Sequence, residues 1–286
     1  MIIAPDMHTD IFDPRRHLPG IQRFLSHFSL APSRPSCESL QQIIAAFSQL
    51  PYENLSKIIK FNRHSENQWA RLRLPEEVME DHLHYRTGGT CFSLTVFLHS
   101  ILQHHGCACY IVMGDMKAGR NLHCALVVLL EGEKYLVDPG YVLRRPMALD
   151  PAKPRLYHHE GNGVEIRFDP AAQSYDLFTF TRTEIKWRYR FMDQPTPAED
   201  FLAHWQASFQ RNSMHGLCLT RVHEDELIFI LKDFMRITSP AGKRNLNLKR
   251  NLHHAINEVF GIAPEYVEQA LAALQENMAR TPAPGK

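Results

Sequence analysis

YRTGGTCFSLTVFLH, residues 85–99, sets two adjacent glycines before a cysteine and an apolar run after it. Leu94, Phe97, Leu98, Ile101 and Leu102 carry that run onward at helical spacing until Gly106, a residue suited to end a helix. The spacing predicts a helix that Cys91 opens. The first N–H groups of a helix lack intrahelical partners and the peptide dipoles add there, so negative charge is favoured and a thiol ionises more readily. Gly88 and Gly89 allow a tight turn into the helix and close approach of a substrate to the backbone. The same N–H groups are natural oxyanion donors, so the local pattern suits acyl chemistry.

A nucleophilic cysteine needs a base within hydrogen-bond reach, and the base needs a third group to hold its tautomer. Beyond Cys109 the texture becomes strand-like: ACYIVM (108–113) is followed by LHCALVVLL (122–130) and then by KYLVD (134–138). Glu131, Gly132 and Glu133 read as the turn between the last two. A hairpin centred near residue 131 places His123 and Asp138 almost opposite each other across one ladder. Taken singly, a cysteine before an apolar helix is more often core, and an aspartate before Pro139-Gly140 is more often a turn residue. The joint order Cys91, His123, Asp138, with a helix start followed by a hairpin, points to a catalytic triad.

Working outward, Ile21, Phe24, Leu25 and Phe28 recur at helical spacing, as do Leu40, Ile43, Ile44 and Phe47, with Pro32 and Pro35 between them. More strands are expected at VEIRF (164–168), YDLFTF (175–180) and IKWRYRF (185–191). A helix follows Pro195 and Pro197, then GLCLTRV and ELIFILKDFMRIT as strands, and NLHHAINEVFG and PEYVEQALAALQEN as closing helices. The expected class is α+β in three parts: a helical bundle over 1–107 carrying the nucleophile, an antiparallel β-barrel over 108–194 carrying histidine and aspartate, and an α/β lid over 195–286. The tail RTPAPGK is expected to fray.

Composition narrows the function classes. With 32 basic against 31 acidic residues, no large field exists to recruit nucleic acid or an anionic membrane. No apolar run approaches the ~20 residues that span a bilayer, and no basic start followed by an apolar core marks a signal peptide, so a cytoplasmic protein is expected. Six cysteines without a C-x-x-C pair suit reduced thiols. Cys107, Cys109 and Cys124 with His104 and His105 lack zinc-ligand spacing, and no metal is expected. GKRNLNLKRN (242–251) reads as a solvated basic loop in preference to a contact for phosphates.

PYENLS (51–56), TGGTCF (87–92), NLHCALVV (121–128) and YLVDPGY (135–141) together resemble the arylamine N-acetyltransferase family, relatives of transglutaminase and papain-like thiol enzymes. IKWRYRF and VFGIAPE resemble its later segments, so the likeness covers nearly the whole chain. The resemblance implies Cys91 as acyl-accepting thiol, His123 as base and Asp138 as orienting acid. It also implies acetyl-CoA as donor, an arylamine or hydrazine as acceptor, and backbone approach to CoA near Gly114. Two positions depart from the family pattern. Thr87 stands where arginine directly precedes the two glycines, with Arg86 displaced by one, and Ser93 stands where an acid or amide is usual. In the family the acid at Glu53 partners that arginine, so Arg86 is expected to reach Glu53 through a one-residue bulge. An amide synthase of the same fold, a thiol hydrolase or transglutaminase-like enzyme, and a non-catalytic binding module are the competing readings.

Overall fold

The computed structural model describes residues 9–280, apart from 142, 160, 161, 224, 225 and 240. Its first part packs α1 (Leu18–His27), α2 (Cys37–Phe47), α3 (Leu55–Arg63), α4 (Pro75–Tyr85) and α5 (Cys91–His104), with the short strand β1 (Tyr52–Glu53) between α2 and α3. Helix α5 is buried from Cys91 through Leu102 on every face, the mark of a helix placed inside a core. Each fully buried Leu or Phe there stabilises the fold by about 1.5–3 kcal/mol. A helix end held this firmly fixes Cys91 in space.

An eight-stranded antiparallel sheet follows: β2 (Ala108–Met116), β3 (Gly119–Leu130), β4 (Glu133–Val137), β5 (Met147–Ala148), β6 (Arg155–His159), β7 (Asn162–Asp169), β8 (Ser174–Thr181) and β9 (Ile185–Phe191). Its order is β5-β4-β3-β2-β9-β8-β7-β6, and the edge strands β5 and β6 pack together, which nearly closes a barrel. Strand β3 is buried on both faces, so it reads as a continuous apolar run. Cys124, Leu126 and Val128 face the helices, whereas Ala125 and Val127 face the barrel interior with Tyr189 and Phe191. The barrel wall therefore has α5 on one side and an aromatic filling on the other.

The last part holds α6 (Ala198–Ala207), then β10 (Cys218–His223), β11 (Glu226–Leu231), β12 (Phe234–Ser239) and β13 (Gly242–Asn247), then α7 (Leu252–Phe260) and α8 (Pro264–Arg280). Strand β1 adds to the edge of this second sheet beside β10, with Tyr52 paired to Thr220 and Glu53 to Leu219. One apolar core joins Phe24, Phe97 and Leu126 to Trp205, Ile230 and Val267. The first and last parts are thus packed as one body around α5.

Most expected elements are present, and the class is α+β with a helical first part, a barrel and an α/β last part. The sequence reading had no counterpart for α3, α4, β1, β5 or β6. GKRNLNLKRN is not a loop throughout: residues 242–247 form the exposed edge strand β13, where Lys243 pairs with Glu184 at 2.7 Å. Of the tail, residues 281–286 lie outside the described residues. No helix among the described residues is long and apolar enough to cross a membrane.

Candidate active site

The loop before α5 is zipped to PYENLS. Tyr52 and Gly89 form a parallel bridge, Glu53 N donates to Gly89 O at 3.0 Å, and Gly89 N donates to Pro51 O at 3.3 Å. A Cβ on Gly88 would stand 2.0 Å from Pro51 O, and one on Gly89 would stand 2.3 Å from Ser93 Oγ. The two glycines are therefore required first by this close packing of chain on chain. Ser93 Oγ donates to Thr90 O at 3.1 Å and ties the cysteine's turn to its helix.

His123 and Asp138 do not face each other directly. Glu131 and Gly132 both take positive φ, 54° and 81°, as a two-residue hairpin turn requires, and Glu133 already pairs with Leu130. The register Leu126↔Val137, continued past the strand end, brings Asp138 opposite Ala125, while Gly114 on β2 is the partner of His123. His123 and Asp138 thus meet on the diagonal of the barrel face. His123 Nε2 lies 2.8 Å from Asp138 Oδ2. Tyr189 donates its hydroxyl to the same oxygen at 2.6 Å, and Tyr141 N donates to Oδ1 at 3.0 Å. Asp138 is completely buried, with both oxygens occupied by donors.

The structure brings Cys91 to this pair. A Cβ on Gly140 would lie 2.7 Å from His123 Cε1 and 2.8 Å from Cys91 Cβ, so Gly140 fills the crevice between thiol and imidazole. The Cys91 thiol is held well below its ordinary range, first by hydrogen-bond contact with Cys124, then, against the upward push of burial, by contact with His123 and its charge. Burial would lower His123, but the Asp138 carboxylate and the Cys91 contact outweigh it and raise the imidazole to about 10. Both shifts favour a thiolate beside an imidazolium. Gly114 is buried opposite His123, and a Cβ there would meet the Tyr189 ring at 2.9 Å.

Arg86 does not reach Glu53. It closes α4 in the left-handed region, φ 60°, and lines a separate cleft of about 220 Å³ with His27, His82, Arg221 and Gly261. Arg73 stands in its place, 3 % exposed and 3.7 Å from Glu53. It donates to Gly88 O at 2.6 Å, Ser56 Oγ at 2.7 Å and Asp81 Oδ2 at 2.7 Å. Glu53, wholly buried, accepts from Ser56 N at 2.9 Å and Ser56 Oγ at 2.5 Å. Burial raises the Glu53 carboxyl, with Arg73 opposing. Removing one partner of such a network leaves a charge uncompensated, so Arg73→Met is expected to destabilise the fold by about 3–5 kcal/mol. Arg86→Met should cost under about 0.5 kcal/mol. Urea midpoints measure both, and equal losses would return the role to Arg86.

Sequence reasoning missed Arg73, Tyr189 and Cys124. Tyr189 lies in a strand that was read, IKWRYRF, but nothing in its spacing marks which side chain reaches Asp138. Among the described residues no three His, Cys, Asp or Glu side chains gather as a metal site.

The sequence pattern of the family described as N-acetyltransferase matches residues 36–268. No curated protein sequence matches the chain. Among solved structures, the arylamine N-acetyltransferase from Mycobacterium abscessus superposes with a TM-score of 0.76 at 19% identity, covering 96% of this chain and 99% of that one. The arylamine N-acetyltransferase from Salmonella typhimurium gives 0.71 at 17%, covering 89% and 98%. That from Nocardia farcinica gives 0.72 at 20%, covering 92% and 99%. With most of its length matched by the family pattern and its whole architecture shared with these enzymes, the chain belongs to the N-acetyltransferase family, with the arylamine N-acetyltransferase fold and the acyltransferase class.

Proposed function

We propose that the protein carries an acetyl group from acetyl-CoA to an arylamine or hydrazine through a thioester on Cys91. The observation that carries this reading is the buried Cys91, His123, Asp138 arrangement, with the thiol lowered and the imidazole raised. In the first half-reaction the Cys91 thiolate attacks the thioester carbonyl, and N–H groups of the first turn of α5 receive the oxyanion. The CoA sulfur leaves and takes the proton held by His123. In the second half, neutral His123 accepts a proton from the amine as its nitrogen attacks acetyl-Cys91, and the Cys91 thiolate is released. Asp138 keeps the imidazole in the orientation and charge state that both halves need.

The three-part division at 107/108 and 194/195 gives each part a role in this scheme. The first supplies the nucleophile, the barrel supplies base and acid, and the last covers the acceptor side. The donor path past Gly114 would run along the β2 backbone next to the base. The site is tested by alkylation against pH. An ordinary thiol with pKa about 8.5 slows roughly tenfold per pH unit below that value. Cys91 should keep nearly its full rate down to pH 6, since its folded pKa lies below the ordinary one and reactivity falls only as pH drops through it. Exposed Cys37 serves as the reference thiol, and Cys109 and Cys218, pushed by burial to about 12, should stay unlabelled. Peptide mapping at pH 6 that finds Cys91 no faster than Cys37 removes the thiolate and the proposal with it.

A further inference from the structure

The cleft of about 220 Å³ that Arg86 lines gathers cations without an acid. His27 ends α1, Arg86 closes α4 and Arg221 stands on β10, with Gln49, His82 and Gly261 also on the wall. Among the described residues no aspartate or glutamate lines it, and none pairs with either guanidinium. Arg221 uses one nitrogen, its Nη1 donating to Val259 O at 2.8 Å. Arg86 donates from its side chain to nothing among the described residues, so every N–H of its fork is open.

His82, on the same wall, is only 5 % exposed. Its Nδ1 lies 2.8 Å from Thr87 O, and a carbonyl only accepts, so Nδ1 carries the proton of the neutral ring and Nε2 carries a lone pair. Nε2 has no partner among the described residues and is not enclosed by core atoms, so it is the polar edge that the ring shows to the cleft. Burial lowers this imidazole to about 4, with Thr87 O opposing and the charges of His27, Arg86 and Arg221 adding to the fall. The ends of α1, α4 and α7 bring carbonyl dipoles to the cleft, which work against an anion. Those of α4 and α7 already have donors: Arg86 N reaches His82 O at 3.0 Å, Gly261 N reaches Asn257 O at 2.8 Å, and Arg221 holds Val259 O. The open guanidinium nitrogens are what these carbonyls leave over.

We propose that this cleft is a phosphate-binding site, in which Arg86 and Arg221 hold the oxyanion and His82 Nε2 meets it from the buried side. Two guanidinium groups suit a dianion with several acceptor oxygens, and a hydrogen bond from guanidinium to an ionised oxygen is of the strong kind. Neutral His82 would set a lone pair against that oxygen, so binding takes up one proton from solvent. The imidazolium then donates from both nitrogens, to the anion and to Thr87 O. The site is thereby tied to the loop that Thr87 begins and Cys91 ends. The same chemistry has two sources, free phosphate and the phosphates of CoA. The inference rests on the cleft alone and stands whether or not Cys91 carries an acyl group.

The experiment titrates the protein with inorganic phosphate, with chloride at matched ionic strength as control, and reads the heat of binding and the melting temperature. Wild type should bind phosphate and melt higher in its presence. Arg86→Gln should melt as wild type does without phosphate and bind it about tenfold more weakly. A wild type that responds to phosphate no more than to chloride overturns the proposal, and so does an Arg86→Gln protein that binds as wild type does. Should Arg86→Gln fail to fold, Arg86→Lys decides by the same readout, since it keeps a charge without the fork and should bind several-fold more weakly. Sulfate, a dianion throughout about pH 5 to 8, reads the proton uptake: its affinity should rise as pH falls, because His82 is neutral in the empty cleft and protonated in the filled one. His27 is the other titratable group on the wall and would give the same sign. The slope should vanish in His82→Asn, which keeps a donor for Thr87 O, and persist in His27→Asn; the reverse would remove His82 from the site. Excess CoA separates the sources: displacement of phosphate assigns the group to CoA, and no displacement assigns it to free phosphate.

Discussion

Mixed with acetyl-CoA alone, the wild-type protein is expected to gain one acetyl group, a mass increase of about 42 Da at Cys91, in a single burst. Cys91→Ala should gain none. The reaction is split by a covalent intermediate, and its second half needs an amine, so release of CoA should stall after one equivalent and resume when an arylamine or hydrazine is added. The stall follows from the site itself. Once Cys91 is acylated and CoA has left with the His123 proton, the neutral imidazole, still held by Asp138, waits for an amine with a proton to give. Turnover in Cys91→Ala should fall to the level that binding and oxyanion donors alone supply, a loss of order 10⁴-fold or more. Intact-protein mass with and without amine reads all of this. A wild type that alkylates rapidly yet takes no acetyl group would instead favour a carrier-fed synthase or a hydrolase on this fold. A wild type that does neither would favour a non-catalytic module.

The helix and hairpin that hold the candidate triad could be read from the chain because each is written in local pattern. Leu94, Phe97, Leu98, Ile101 and Leu102 announce α5, and the apolar runs on either side of Glu131-Gly132 announce β3 and β4. The register between those strands was misread by centring the hairpin near residue 131, whereas the ladder centres between Glu131 and Gly132. Gly132 is the clue: Glu131 and Gly132 together satisfy the positive φ that a tight hairpin needs, so Glu133 belongs to the ladder. Asp138 still arrives beside His123, because a shift by two residues in the sum of partners preserves the face. Strand β13 was taken for a loop on its run of basic residues, and every one of its residues is exposed. It forms because β12 offers an unpaired edge, and its lysine and arginine suit a strand that ends a sheet.

Arg73 was hidden for a different reason. Adjacency in sequence suggested Arg86 for Glu53, yet the left-handed turn that ends α4 sends Arg86 away from the buried acid. Arg73 comes from the segment before α4, where no motif flags it, and its role exists only once PYENLS and TGGTCF lie side by side. The departure at Thr87 is therefore answered by a different residue reaching the same carbonyl strand of the loop.

Asp138→Asn is expected to show the largest loss short of removing the thiol, about 10⁴-fold in turnover by comparison with the corresponding change in the serine triad. The carboxylate accepts from three donors here, His123 and Tyr189 at Oδ2 and Tyr141 N at Oδ1. An amide has one oxygen, so either its NH₂ confronts the Tyr141 N–H or it confronts His123 and Tyr189. Each arrangement leaves a buried donor unpaired, which costs about 1–3 kcal/mol, and the melting temperature should fall accordingly. The catalytic loss has a second origin. Without the negative charge His123 no longer stays protonated near neutral pH, the thiol keeps its proton, and the flat alkylation profile of Cys91 should steepen toward that of an ordinary cysteine. Tyr189→Phe separates the two effects, because it removes one donor and keeps the charge. Its turnover should fall far less, and its alkylation profile should stay flat. An Asp138→Asn protein that alkylates at pH 6 as fast as wild type would show that Cys91 ionises without the acid, leaving Asp138 as a turn residue that anchors Tyr141 and Tyr189.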